Sequence, residues 1–300
     1  MPTTAAGRRL DRELPALVED LTRSQAKRLI DLGRVTVDGA LSKAGLVLRG
    51  GERLRVEPEP PEAFSVEPEA IPVPVLFQDD DLIVVDKPAD LVVHPAVGHP
   101  RGTLVNALAH LGAAGGDPGR PGIVHRLDRG TSGVMVVARN VVAHARLAEQ
   151  FERHTVEKLY AALVVGDPPA EVRLETLFGR HPVDRQRFSS KVPRGRKALT
   201  SFRTLERAGG CARLEVRLGT GRTHQIRVHL SDGGWPILGD EVYGRRLRDP
   251  VLRRAAERLG RPALHALRLG FDHPRTGERL RFEAPLPADF CAAWTAVRGM

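Results

Sequence analysis

From Gly122 to Arg139 the chain reads Gly-Ile-Val-His-Arg-Leu-Asp-Arg-Gly-Thr-Ser-Gly-Val-Met-Val-Val-Ala-Arg, a dense polar run bracketed by two apolar ones. The short apolar run Val134, Met135, Val136 and Val137 after Gly133 predicts a buried strand leaving a tight loop. The loop is therefore held by a rigid edge. His125, Arg126, Asp128, Arg129, Thr131 and Ser132 fall within eight positions, and so many polar groups cannot be buried without partners. They face one another, solvent or a ligand. Asp128 is the only carboxylate among them, and the neighbouring guanidinium groups of Arg126 and Arg129 favour its ionised form. An ionised carboxylate suits a nucleophile or a charge stabiliser rather than a general acid at neutral pH. The same local composition also fits a surface aspartate in an ion-paired turn.

The rest of the chain narrows the partner. Lys and Arg number 46 against 37 Asp and Glu, a net charge of +9 that implies an anionic partner, nucleic acid or an acidic surface. Cys211 and Cys291 are isolated, so a disulfide framework or a cysteine-based zinc site is not expected, and a reducing cytosol is the default location. The amino-terminal residues lack an apolar signal core, and no run approaches the length of a membrane span. Neither a phosphate-loop spacing nor a dinucleotide fingerprint occurs. His224, His229, His265 and His273 complete no recognised ligand spacing, so no metal is expected.

Leu10, Leu14, Leu17 and Leu21 recur at helical spacing, and Ser24 is a candidate cap for a second helix that runs through Leu32 and stops at Gly33. That helix turns Ala26, Leu29 and Ile30 inward and Arg23, Lys27 and Arg28 outward. Val35 and Val37 alternate into Asp38-Gly39, a hairpin signal, and Leu54 with Val56 closes a strand. These residues, 9–57, read as a small unit of their own. From Pro58 to Asp81 the chain carries six prolines and seven acidic residues and no basic one. The domain boundary is placed there, with a connector at 58–74 and a larger domain over 75–300.

In the larger domain Val75–Phe77 and Leu82–Val85 predict paired strands, and Leu91-Val92-Val93-His94-Pro95 follows the Asp86-Lys87-Pro88 turn. Thr103 to Leu111 predicts a short helix, and Ala143 to Glu152 a longer one. Lys158 to Val165 predicts a strand carrying Tyr160, and Arg213 to Leu218 another. Gly219 to Leu230 fits either a strand, with Ile226 and Val228 on one face, or the start of a helix. In both cases Arg227, flanked by apolar residues, needs an anion. Arg180–Arg187 and Lys191–Lys197 form a basic, proline-broken stretch suited to phosphate contact.

His-Arg-Leu-Asp-Arg-Gly-Thr-Ser-Gly-Val-Met-Val-Val-Ala, at 125–138, resembles the catalytic motif of the large-subunit ribosomal RNA pseudouridine synthases, and the match is long and gapless. Lys-Leu-Tyr-Ala-Ala-Leu resembles the tyrosine motif of that family, and Gly219 to Leu230 its third motif. Arg9 to Gly39 resembles the small RNA-binding module named after a ribosomal small-subunit protein, with Asp38 where Asn is usual. The block at 82–95 resembles the family's first motif, with Asp90 where glycine is commoner.

The resemblance implies an α+β chain: a small α/β RNA-binding module followed by a synthase domain on a mixed, largely antiparallel β-sheet flanked by helices. It makes Asp128 the nucleophile, Arg227 its buried bidentate partner, and Tyr160 the ring that stacks on the target uracil and assists proton transfer. Arg126 would enter the space left by the flipped base, and Ile226 would wall the base pocket. His125, Arg129 and Thr131 become further RNA contacts in the same loop, and Arg23, Lys27 and Arg28 phosphate contacts in the module. Lys87 is read as support beneath the loop. The implied partner is RNA, large-subunit ribosomal RNA free or in a pre-ribosomal particle, not DNA and not a membrane, and the chemistry calls for no cofactor. Two rivals share some of these features. A glycoside hydrolase normally flanks its bond with two carboxylates, whereas the central motifs offer one. A catalytically idle RNA-binding or ribosome-assembly protein would carry the same basic field.

Overall fold

A computed structural model describes residues 5–18, 21, 23–57, 66–93, 101–184 and 187–299. It divides the chain into two units, residues 1–64 and 65–300. In the first, Leu10 and Leu14 of α1 (Leu10–Leu17) and Ala26, Leu29 and Ile30 of α2 (Arg23–Asp31) are buried with Val35, Val37 and Leu48. The expected helical spacing therefore holds as far as Leu14. Beyond it, α1 ends at Leu17, which is exposed, and Val18 is extended. Ser24 falls inside the first turn of α2, and its side chain lies outside the described residues. Gly33, at φ +70, ends α2, with the Arg34 N–H closing back onto the Leu29 carbonyl at 2.9 Å. The strands β1 (Val35–Val37) and β2 (Ala40–Leu41) pair with Val37 opposite Ala40, and β3 (Leu54–Val56) pairs with β1. Asp38 and Gly39 both have positive φ, the two-residue turn whose twist matches a hairpin; aspartate tolerates that geometry as asparagine does.

The second unit carries β4 (Val75–Gln78), β5 (Leu82–Lys87), α3 (Leu104–His110), β6 (Ser132–Ala138), α4 (Val141–Glu152), β7 (Glu157–Val165) and β8 (Glu171–Arg180). There follow β9 (Phe188–Ser189), β10 (Arg196–Ala208), β11 (Cys211–Leu218), α5 (Gln225–Asp232), α6 (Pro250–Leu259), β12 (Leu264–Asp272), β13 (Arg279–Glu283) and α7 (Ala288–Arg298). Ten strands form one sheet in the order β4-β5-β6-β12-β7-β11-β10-β8-β9, with β13 paired to β12. Among the described residues β6 and β12 are its parallel pair, and the other neighbours are antiparallel. The sheet is thus mixed and largely antiparallel, and the fold is α+β.

The strands that carry the central loop are buried on both faces, which is why they read as continuous apolar runs rather than alternating ones. Ile83, Val85, Met135 and Val137 pack on one side with Leu104 and Leu108 of α3. Leu82, Val84, Val134 and Val136 pack on the other with Ala143 and Leu147 of α4. Residues 66–74, the described part of the connector, run along this second unit: the Glu69 N–H donates to the Asn106 carbonyl at 3.1 Å and the Asn106 amide to the Glu67 carbonyl at 2.9 Å. His94 and Pro95 lie outside the described residues. No described helix is long and apolar enough to cross a membrane.

Candidate active site

The loop around Asp128 is clamped from several directions. At its start, the Ala138 N–H donates to the Gly122 carbonyl at 2.9 Å. Gly122 is required there, because a Cβ would stand 2.2 Å from the Ala138 carbonyl oxygen. Next, His125 Nε2 accepts the Val136 N–H at 3.1 Å, and the ring stacks on Phe151 at 4.4 Å. Burial, and secondarily the Lys158 ammonium, pushes the His125 pKa down to about 3, so the ring is a neutral acceptor. Beyond Asp128, Lys87 Nζ, fully buried, donates to the Arg129 carbonyl at 3.2 Å and to those of Pro88 and Leu91 at 2.7 and 3.1 Å. From the far side, Arg261 Nη1 donates to the Gly130 carbonyl at 3.2 Å while its fork holds Asp289 at 2.7 and 2.9 Å. The loop closes with the Thr131 N–H on the Asp128 carbonyl at 3.0 Å. Gly133, at φ +115, then lets β6 approach Ala266 of β12, where a Cβ would meet a carbonyl oxygen at 2.2 Å. Lys87 is thus a support, as its position suggested.

Asp128 opens on a cleft of about 650 Å³. His125, Arg126, Thr131, Tyr160, Ile226 and Arg227 line the same cleft. Arg129 does not; its exposed side chain points elsewhere while its carbonyl serves the clamp. Thr131 and Ile226 are buried at 2% and 4% exposure, so they shape the wall. Tyr160, on β7, is also buried, and burial together with the Asp128 charge raises its pKa, which keeps the phenol protonated. Lys158, two residues earlier on the same face of the strand, is buried in the cleft wall as well, and burial lowers its pKa. Sequence reasoning passed over it.

Gly219 to Leu230 resolves as a turn followed by α5, not a strand. Gln225 fixes the helix start: its Nε2 donates to the Leu199 carbonyl and Thr200 Oγ1 at 3.0 and 2.9 Å, and its Oε1 accepts from Thr220 and the Arg222 N–H at 2.7 and 3.0 Å. His229, one helical turn later, bonds Thr200 and Thr176 through its two ring nitrogens at 2.8 and 2.9 Å. Between them Arg227, 7% exposed, projects inward.

The anion that Arg227 needs is chiefly Asp240. Arg227 Nε and Nη2 reach the two Asp240 oxygens at 2.7 and 2.8 Å, whereas Nη1 reaches Asp128 Oδ2 at 3.5 Å. The expected bidentate pair with Asp128 is therefore a single long contact. The fork can face only one carboxylate, and Asp240 is also held by the Val242 and Tyr243 N–H groups, both at 3.0 Å. Burial opposes both charges of the Arg227–Asp240 pair, but each outweighs it for the other: the arginine pKa is raised and the aspartate pKa lowered. The remaining Asp128 oxygen, Oδ1, lies 3.9 Å from His224 Nε2. Asp240, His224 and Tyr243 were not foreseen as site residues. Two carboxylates, Asp232 and Asp240, follow Arg227 in the chain, and proximity alone would have favoured the first.

The four histidines weighed as metal ligands are engaged separately: His265 bonds Ser132 at 2.9 Å, and His273 bonds Asp79 at 2.9 Å. In the first unit Arg23 is exposed but bonded to Asp11 at 2.8 and 3.2 Å, and Lys27 and Arg28 are exposed.

An accessible carboxylate beside a buried guanidinium, a buried phenol and an exposed arginine fit a reaction at a nucleobase. Residues 81–232 match the RNA pseudouridylate synthase family and residues 8–54 the S4 domain. A ribosomal large subunit pseudouridine synthase D of Nitrosomonas europaea is 43% identical, over 100% of this chain and 87% of its own length. An uncharacterised RNA pseudouridine synthase of Chloroflexus aurantiacus is 46% identical, over 96% and 90%. The human RNA pseudouridylate synthase domain containing 4 superposes with a TM-score of 0.58 at 27% identity, over 75% of this chain and 93% of that one. The site geometry and these likenesses agree, and the chain belongs to the RNA pseudouridylate synthase family, isomerases acting on RNA.

Proposed function

We propose that this chain converts specific uridines of large-subunit ribosomal RNA to pseudouridine in the cytoplasm, with Asp128 as nucleophile. The relatives named for the large ribosomal subunit support that substrate. Residues 9–57 act as the RNA-holding module, 58–74 as connector and 75–300 as the synthase domain. The observation that carries the mechanism is the Asp128 carboxylate opening on the cleft that Tyr160 and Arg227 also line.

The reaction breaks the C1′–N1 bond, turns the base without releasing it, joins C1′ to C5, gives up the C5 proton to solvent and leaves N1 with a proton in its place. The uridine first leaves its stack, at a cost of about a few kcal/mol. Arg126, exposed on the cleft and in no ion pair among the described residues, fills the vacated space. Tyr160 covers the ring. Its raised pKa keeps the hydroxyl protonated, so it assists by relaying a hydrogen bond rather than as a resident phenolate. Asp128 supplies the electron pair, or the negative charge, at the breaking glycosidic bond. Arg227, itself anchored on Asp240, steadies that carboxylate.

An idle RNA-binding protein would have no use for an accessible carboxylate aimed into a cleft beside a buried guanidinium. Two measurements decide. Pseudouridines mapped in ribosomal RNA from cells with and without the protein identify the target, and unchanged maps reject the substrate. Asp128→Asn should abolish isomerisation and leave RNA affinity largely intact; a variant that still isomerises removes Asp128 from its role.

A further inference from the structure

His224 is at odds with its own helix. It stands at the start of α5 with φ 59 and ψ 18, a left-handed conformation uncommon for a residue with a Cβ, and its side chain makes no capping bond. Strain at the edge of a cleft is kept where the side chain is needed there. The imidazole spans two groups: Nδ1 is 3.0 Å from the Tyr243 hydroxyl, and Nε2 is 3.9 Å from Asp128 Oδ1.

Tyr243 decides which nitrogen carries the proton. Its oxygen already accepts the Phe188 N–H at 3.0 Å, which leaves its own hydrogen for His224 Nδ1. Nδ1 is then the acceptor, and Nε2–H points at the carboxylate. Burial, acting against the Asp128 charge, keeps the imidazole pKa below its ordinary value, so the donor is neutral at neutral pH. Tyr243 is itself fixed, because its N–H is bonded to Asp240 at 3.0 Å and its ring lies 5.1 Å from the Arg227 guanidinium. Both nitrogens that face Asp128, at 3.5 and 3.9 Å, therefore rest on one anchor.

A carboxylate touched by a single nitrogen at 3.5 Å can still turn about its Cβ–Cγ bond. A second donor on the other oxygen fixes the plane, and contacts that are long in the resting enzyme commonly tighten in the substrate complex. We propose that His224, in the tautomer set by Tyr243, is a positioning residue that orients the Asp128 carboxylate without neutralising it. The inference rests on Asp128 being the nucleophile.

The test uses the full chain, unmodified large-subunit ribosomal RNA transcript tritiated at uridine C5, and single-turnover tritium release, with RNA affinity and thermal unfolding measured alongside. His224→Ala should slow release by about tenfold to a hundredfold, the range for a misplaced reacting group, with RNA affinity little changed. The decisive comparison is Gln against Asn. Gln presents an N–H where Nε2 stood and should recover most of the rate. Asn suits the left-handed backbone better and can accept the Tyr243 hydrogen, yet falls short of Asp128, and should stay slow. Tyr243→Phe should slow release with a smaller loss in the same step. The proposal is overturned if Asn restores the rate as well as Gln, if Ala keeps the parent rate, or if the loss lies in RNA affinity. Asp128→Asn run in parallel separates the two readings: tritium release by that variant defeats the nucleophile assignment, whatever the His224 variants do.

Discussion

Arg227 gives its guanidinium fork to Asp240 and a single nitrogen to Asp128, at 2.7 and 2.8 Å against 3.5 Å. The two carboxylates therefore divide two tasks that a short motif would assign to one. Asp240, its side chain fully buried, carries the structural load, and Asp128, its side chain 20% exposed, stays available to substrate.

That division predicts opposite effects on stability. Asp240→Ala leaves a buried guanidinium and two backbone N–H groups without their acceptor, and should destabilise the second unit by about 3–5 kcal/mol. Asp128→Ala removes a group one-fifth exposed with one long contact and should cost no more than about 1 kcal/mol while abolishing isomerisation. Urea unfolding of the two variants checks this, and equal losses would mean that Asp128 is the true partner of Arg227.

Lys87 is a second structural support with a functional reach. Its buried ammonium joins the 88–91 turn to the Arg129 carbonyl, one residue past the nucleophile. Lys87→Met fills the space but leaves those carbonyls unpaired, which should cost on the order of 3 kcal/mol. The loosened loop should lower kcat with RNA affinity preserved. Parent-like kcat in a destabilised Lys87→Met would show that the clamp does not govern the loop.

Much of this was legible because the informative segments are locally determined. The runs at Val134–Val137 and Lys158–Val165 are buried on both faces, so their apolar continuity announced strands, and Asp38-Gly39 announced its hairpin. Asp128 was marked by the long motif around it. The Arg227–Asp240 bond was not legible: an arginine's need for an anion is a local fact, but the choice between two carboxylates is made by a turn after α5. Ile226 and Val228 fitted strand and helix alike, and what selects the helix is the set of four Gln225 bonds, two within its own turn and two to Leu199 and Thr200 on β10. His125 and Thr131 were read as RNA contacts from the resemblance of their loop to the family's catalytic motif, and both line the cleft. His125 also spends its acceptor on the Val136 N–H, and a backbone partner of that kind leaves no trace in composition.

Acid should weaken the second unit before its carboxylates titrate. Burial pushes His125 to about 3 and His229 to about 4, whereas both return to about 6.5 when unfolded. The unfolded chain then binds more protons than the folded one below about pH 6.5, so stability rises with pH in that range. Their contribution is present above about pH 6.5 and is lost as pH falls towards 4 and then 3. The urea midpoint should drop between pH 7 and pH 5, and the drop should be shallower in His229→Asn, which cannot titrate. A pH-independent midpoint across that interval would contradict the neutral state of these rings.

In the S4 domain the outward cations of α2 are not equivalent. Arg23 lies on Asp11, which Arg9 also grips at 2.9 Å, and these two arginines hold the Asp11 pKa down at about 2. A phosphate must compete with that carboxylate for Arg23, whereas exposed Lys27 reaches solvent directly. Lys27→Ala should therefore weaken binding to RNAs of any sequence by a similar factor and reduce the slope of log affinity against log salt by about 1. Arg23→Ala should change the slope less, because the guanidinium is already partly neutralised. Affinity titrations at several salt concentrations distinguish them, and equal slope changes would mean that Arg23 leaves Asp11 for the RNA backbone on binding.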